Sequence, residues 1–464
     1  TIEEKQLDGN KKAMAGRVDV ASGCAPTNIA VVKYWGKDRK RGGNTPVNSS
    51  CSLTLDPGDL RAETVIVASP GLTEDELYLN GKKADTSGDS THARRLRLCL
   101  QTMREKCADP IPSTSRARDA AELKSWKVRV ASRNTFPTAA GLASSAAGYA
   151  ALVTAAAALY GVKDSFAGEL STVARKGSGS ACRSLQGGLV AWHKGEALDD
   201  SRAEQFFDET YWPELRVVVL VANTREKETP SADGMTSSVE TSPFLAHRAA
   251  TVAEPRVAAL RTAFERRDFD QFAEICARDS NSFHAVCLDT YPPIFYLDNT
   301  SRAVIKAVHA FNAFHREVLV AYTFDAGPNA VLFCKNQDAA DKVAGLAVHL
   351  FTHKDVPCNR PDHLRRCPAP AAALVASCGG KRHLGADVKM IYLTSVGEGA
   401  SSPLPPDAVD GLIDLASLTP KTTDEQPASR RRRAGLLAAG LLGGFHALLL
   451  AAALVAAARK RRSS

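Results

Sequence analysis

The stretch from Asn134 to Tyr160, NTFPTAAGLASSAAGYAALVTAAAALY, leaves the chain few ways to fold around it. Its first half is almost all small residues, among them Pro137, Thr138, Ala139, Ala140, Gly141, Ser144 and Ser145. Its second half is Ala-rich, and Ala has the best intrinsic helix propensity. A strand-like WKVRVAS (Trp126 to Ser132) comes just before it. Strand, tight loop and helix start, in that order, aim several unpaired backbone N–H groups and the positive end of a helix dipole at one spot. Such a spot suits a phosphate, with Ser144 and Ser145 adding hydroxyl donors. No GxxxxGK[ST] pattern occurs and the stretch holds no Lys, which excludes a Walker A loop. An Ala/Gly/Ser helix packed closely in a core has the same composition, so the rest of the chain has to decide.

The charge of the chain sits in its tail. The formal net charge is +8, but Arg430 to Arg433, Arg459, Lys460, Arg461 and Arg462 lie in a final segment with no acidic residue. Without them 51 basic residues face 51 acidic ones. A neutral body gives no general electrostatic footprint for nucleic acid, and none is expected as a partner. Eleven Cys are scattered from Cys24 to Cys378 with no CxxC pair, so zinc-site spacing is absent. Free thiols in a reducing compartment follow, and the body of the chain is expected in the cytoplasm. Cys358, His363 and Cys367 are close in sequence and read as part of a polar loop rather than a metal site.

Strands and helices alternate irregularly along the chain. Strand patterns start at RVDVASG, CSLTLD, RAETVIVAS and ELYLNGKK, the last with an Asn-Gly turn at Asn80 and Gly81. His92 to Lys106 reads as a helix, and Pro110 to Ala121 as a polar loop. Residues 200–213 read as a connector, and ELRVVVLVAN then opens a second half. Helical patterns follow over Ser237–Ala249, Val252–Arg266 and Phe269–Arg278. VLVAYTFDAGPNAVLFC reads as strand, Gly-Pro turn, strand, and VKMIYLTSV as the last strand. The fold class is therefore α+β with mixed or antiparallel sheets. From Ser401 the composition shifts to Pro, Asp, Ser and Thr, which reads as a linker. Beyond it, 25 residues from Ala434 to Ala458 carry one polar side chain, His446. That is long enough to span a bilayer, and membrane anchoring through this tail is the expectation.

Three further patches complement the small-residue loop. Lys33 and Lys37 lie in KYWGK, beside Tyr34 and Trp35 and next to a Gly-containing basic loop, a placement that suits a phosphate contact. Arg183, with Ser178 and Ser180 close by in KGSGSACR, suits a carboxylate or diphosphate. Asp325, in YTFDAGPNA, sits where a strand breaks into a turn. It is a turn-forming residue, or else a base or a positioning group for a hydroxyl. Together they describe phosphoryl transfer without a Walker lysine, onto an anionic acceptor.

PTNIAVVKYWGK, NTFPTAAGLASSAAGYAAL, ARKGSGSACRSL, HAVCLDTYPPI and YTFDAGPNAVL resemble the motifs of diphosphomevalonate decarboxylases in the GHMP small-molecule kinase superfamily. The resemblance spans about residues 17–400. It implies a two-part α+β fold with a cleft between the parts, and division into an ATP-binding domain over 1–205 and a second domain over 206–400. A linker over 401–433 and a candidate transmembrane helix over 434–458 then lie outside it. It also implies ATP-dependent decarboxylation of mevalonate 5-diphosphate, with magnesium bound to the ATP, and a homodimer. By motif, Asp325 and Lys33 match catalytic positions. Tyr34, Lys37, Ser178, Ser180 and Arg183 match substrate positions, and Ala140, Gly141, Ser144 and Ser145 match the ATP loop. KETPSADGM resembles the family's substrate loop only loosely, so Ser231 carries no assignment. A kinase that stops at the phosphorylated product and a membrane-anchored protein that binds without turnover are the alternatives.

Overall fold

The run VIVA inside RAETVIVAS demands cover on both faces of a strand, because successive side chains point to opposite sides. The computed structural model supplies both covers. Arg61–Ser69 is a central strand of a five-stranded sheet, flanked by Asp19–Pro26 and Lys127–Asn134. Glu76–Leu79 and Lys82–Lys83 complete that sheet. They are joined by Asn80 and Gly81 at φ 50° and 79°, the left-handed pair that an Asn-Gly hairpin turn requires. On one face Ile66, Ala68, Val128 and Val130 pack against the Ala-rich helix Ser144–Tyr160 and the helix Thr91–Lys106. On the other, Val65, Val67 and Ala131 pack against Leu404, Ala408, Leu412 and Ile413.

The second cover corrects the reading of residues 401 onward as a linker. The structure describes residues 17–136, 144–222, 228–352, 356–379 and 387–422. Within them, 401–422 docks on the first sheet. Ser401 exchanges backbone hydrogen bonds with Cys24 at 2.9 and 3.0 Å, and the Arg133 guanidinium donates to the Gly411 carbonyl at 2.9 Å. A short helix, Pro406–Asp410, and a two-residue hairpin lie along the strap. The Pro, Asp and Ser that mimic a linker stand at turns, while sparse Leu and Ile make the contacts. The expected transmembrane run at 434–458 lies outside the described residues. Among those described, no helix is long and apolar enough to cross a membrane.

Two more four-stranded sheets carry the site. One has the order Asn28–Val32, Ser50–Thr54, Leu189–Trp192, Ala203–Phe207, all antiparallel. Its last strand falls in the expected connector; AEQFF is an edge strand, with Ala203 buried, Glu204 and Gln205 exposed, and Phe206 and Phe207 half-buried. The other has the order Val320–Phe324, Ala330–Cys334, Arg216–Val221, Met390–Ser395. The helices Ala253–Glu265 and Phe269–Asp289 fill the space between these sheets, joining Ile29, Val31, Leu53 and Leu189 to Val217, Val219 and Phe333 in one core. Phe269–Asp289 runs eleven residues beyond the expected end at Arg278, because Asn281 and Ser282 look like breakers but lie within an amphipathic row. The α+β class with antiparallel and mixed sheets stands as expected.

Candidate active site

Lys33 follows directly on the strand Asn28–Val32, and Asp325 directly on Val320–Phe324. Their strand ends meet. Lys33 Nζ donates to Asp325 Oδ1 at 2.6 Å; the Lys side chain is 3% exposed and the Asp side chain 34%. One side of the carboxylate therefore faces an open cleft while its cation is sealed beneath it. The turn at DAGP is closed by the Gly327 N–H donating to the Asp325 carbonyl at 2.7 Å, which leaves the carboxylate to Lys33.

The remaining residues line the same cleft. Tyr34, Lys37, Ser145, Ser178, Ser180 and Arg183 all border it with Lys33 and Asp325. Ser145 Oγ, in the first turn of the Ala-rich helix, lies 3.1 Å from Ser178 Oγ, so the phosphate-loop motif and the GSGS motif share one wall. Ser144 opens that helix. Ala140 and Gly141, the other two expected ATP-loop residues, lie outside the described residues. Tyr34 approaches the backbone at Gly179 so closely that a Cβ there would stand 2.9 Å from its ring; only glycine leaves the room. Its hydroxyl is buried without a hydrogen-bond partner among the described residues, and burial pushes its pKa upward.

The cleft is a sink for negative charge. Among the described residues that line it, Asp325 is the one carboxylate, against Lys33, Lys37, Arg95 and Arg183. Arg183 is 2% exposed and, among the described residues, donates to neutral acceptors alone: Ser50 Oγ at 2.7 Å, Ser52 Oγ at 2.9 Å and Asn28 Oδ1 at 3.3 Å. Burial lowers its pKa from the ordinary value. Lys37 is held at 2.9 Å by Asn44 Oδ1, and its pKa is lowered to about 8, first by burial and then by Arg95. Buried cations without carboxylates are expensive, and an anionic ligand offsets that cost.

Trp35 shapes the wall rather than the chemistry. Its Nε1 donates to Ser238 Oγ at 2.9 Å, and its ring meets Phe283 edge-on at 4.8 Å. Ser231 borders the cleft too, although its motif carried no assignment. Sequence reasoning missed Arg95, which sits in the ordinary amphipathic pattern of Thr91–Lys106 and is recognised only once that helix is placed beside the cleft. Apart from the cleft, Asp341, His363 and Cys367 place possible ligand atoms within 4.8 Å of one another. His363 lies in a short helix, Pro361–Arg366, instead of the expected loop, and its ring shares a 2.8 Å hydrogen bond with Asp341.

Comparison with known proteins gives a consistent answer. A family model for the diphosphomevalonate decarboxylase-like N-terminal domain matches residues 25–203, and one for the mevalonate 5-diphosphate decarboxylase C-terminal domain matches residues 217–402. The diphosphomevalonate decarboxylase of Homo sapiens is 45% identical over 389 residues, covering 81% of this chain and 91% of that protein. The protein of the same name from Eremothecium gossypii is 48% identical over 343 residues, 72% of this chain and 82% of its own. Among solved structures, mevalonate diphosphate decarboxylase from Trypanosoma brucei aligns with a TM-score of 0.73 at 34% identity, over 84% of this chain and 99% of that one. A structure of MDDEF in complex with MVAPP, AMPPCP and magnesium aligns at 0.62 and 28% identity, over 84% and 100%.

Proposed function

This chain belongs to the diphosphomevalonate decarboxylase family, and we propose from that premise how its cleft divides the work. The reaction is the ATP-dependent decarboxylation of mevalonate 5-diphosphate to isopentenyl diphosphate, ADP, phosphate and carbon dioxide, a step of the mevalonate pathway. The observation that carries the assignment of roles is the Lys33–Asp325 pair at the base of a cleft whose other cations lack carboxylate partners among the described residues.

Asp325 orients the 3-hydroxyl of the substrate and accepts its proton as the oxygen attacks the γ-phosphorus of ATP. The β–γ bridging bond breaks and ADP leaves. The 3-phosphate then departs with its C–O electron pair, and the carboxylate carbon leaves as carbon dioxide while its bonding pair becomes the new double bond. Lys33 holds the Asp325 carboxylate in place. Tyr34, Lys37, Ser178, Ser180 and Arg183 hold the diphosphate and carboxylate, which supply the negative charge that Lys37 and Arg183 lack. Arg95 joins them. Ser144 and Ser145, at the helix start, cradle the ATP phosphates together with Ala140 and Gly141 of the same motif.

Magnesium fits this donor set as a companion of ATP: the one lining carboxylate among the described residues is already paired, and the ion commonly binds through substrate phosphates and few protein groups. When bound, it neutralises charge on the β- and γ-phosphates. The assay that tests the whole reading supplies ATP and mevalonate 5-diphosphate and follows phosphate and carbon dioxide together. Equal release of both is expected. A stable 3-phosphorylated product would instead assign a kinase, and binding without turnover a non-catalytic protein. We further propose that the tail anchors the enzyme to a membrane and that the body forms a homodimer, the latter checked by light scattering of the full chain.

A further inference from the structure

The Lys33–Asp325 contact joins two strands from different sheets, and one helix touches both. Phe269–Asp289 presents two adjacent side-chain rows. Cys276, Ser280 and His284, spaced four apart, face Val320–Phe324: Cys276 Sγ lies 3.5 Å from the Tyr322 carbonyl, and Ser280 Oγ accepts from the Phe324 N–H at 3.0 Å. The His284 ring lies 6.4 Å from the Phe324 ring. Asp279 and Phe283, also four apart, face the other strand: Asp279 Oδ1 accepts from the Lys33 N–H at 2.7 Å, and Phe283 meets Trp35.

The Lys33 peptide is held on its other side as well. Arg248 donates to both Asp279 oxygens, at 2.7 and 3.0 Å, and to the Lys33 carbonyl at 3.2 Å. Asn48 Nδ2 donates to the same carbonyl at 3.1 Å. Arg256 completes the cluster, donating to Asp279 at 2.9 Å. Asp279 is 0% exposed, and Ser280 and Arg248 are 1% exposed. Arg248 opens a single π-helical turn, Arg248–Val252, a local departure from α-helix that often marks a functional position.

We propose that Asp279 and Ser280, with Arg248 behind them, are positioning residues for phosphoryl transfer: neighbours on one helix, they fix the backbones on either side of the Lys33–Asp325 contact. The inference rests on the roles proposed above for that pair. Its physical basis is orientation. A hydroxyl acceptor aligned by a carboxylate on one strand and a lysine on another tolerates little relative slip between the strands. Neither residue borders the cleft, so substrate affinity does not depend on them directly.

The test uses the full chain and steady-state and single-turnover kinetics. Ser280→Ala removes one hydroxyl, and Arg248→Lys keeps the charge but loses the forked donor. Each is expected to lower kcat and the single-turnover rate of ADP formation by roughly 10- to 100-fold while the KM for each substrate stays within about threefold, since sub-ångström misplacement acts on rate rather than binding. Ser280→Thr, which restores an acceptor, should recover much of the rate. Phe272→Leu, in the same helix but packed against Trp212 and Phe333, should lower the melting temperature without lowering kcat. Folded Ser280→Ala with kcat within about twofold of the parent, or a KM that rises in step with the loss of kcat, would overturn the proposal. Ser280→Ala decides the matter even where Asp279 or Arg248 variants do not fold. Retention of turnover by Asp325→Asn or Lys33→Met would instead remove the underlying reading of the pair.

Discussion

Asp325 and Lys37 are the two residues whose chemistry is most exposed to test. Asp325→Asn keeps the shape and one oxygen but cannot take a proton. Turnover should fall by about 10²- to 10⁴-fold, the range for loss of a general base, while ATP binding measured by calorimetry persists. Lys37 is a cation kept in a partly dry site, with its pKa lowered to about 8 by burial and by Arg95. Its protonated form is disfavoured by the fold and favoured by a bound anion, so substrate binding takes up a proton near that pH. The sign follows: KM for the diphosphate substrate should be lowest below pH 8 and rise as pH passes through 8, where the free enzyme loses the charge. Lys37→Met should raise KM at pH 7 and flatten this dependence, as read from KM–pH profiles of both proteins. For Lys37 itself, loss of the proton relieves burial, so its contribution to stability improves as pH climbs from about 8 toward its ordinary value.

At the scale of elements, the two close approaches are what the small residues serve. Gly179 lets the three-ten turn Gly179–Leu185 pass beneath Tyr34 and Trp192, with room for no side chain. Gly179→Ala should destabilise the protein by about 1–3 kcal/mol through overpacking, and should raise substrate KM because Tyr34 has to move. Denaturant unfolding and steady-state kinetics read the two effects separately. The strap over 401–422 has a different signature. Leu412, 4% exposed, plugs the face of the first sheet opposite the Ala-rich helix. Leu412→Ala should cost about 2–5 kcal/mol without changing kcat, because the strap touches the sheet and not the cleft. A matched fall in kcat and in stability would show that the strap also shapes the site.

For the whole molecule, the prediction concerns what the body does without its tail. Deleting residues 430–464 removes all eight basic residues of the excess charge together with the apolar run, and leaves the strap intact. The shortened protein should fractionate away from membranes with kinetics unchanged; equal fractionation of the two forms would count against an anchor. Much of the architecture was already written in periodicity. RAETVIVAS matched its strand residue for residue, and the Ala run its helix, because local propensity and burial on both faces agree there. The strap was misread because its Pro and Asp are the residues of a linker, and its docking depends on four apolar side chains finding a sheet face formed some 340 residues earlier in the chain. The sequence by itself determined the residue types of the cleft, since a Lys after a strand, a Gly-Ser loop with Arg, and an Asp at a strand end each announce local chemistry. Only the tertiary structure decided that Lys33 and Asp325, 292 positions apart, meet at 2.6 Å, that Arg95 joins the cations, and that one helix holds both strands. Those facts are distances between segments, and no local pattern in the chain encodes them.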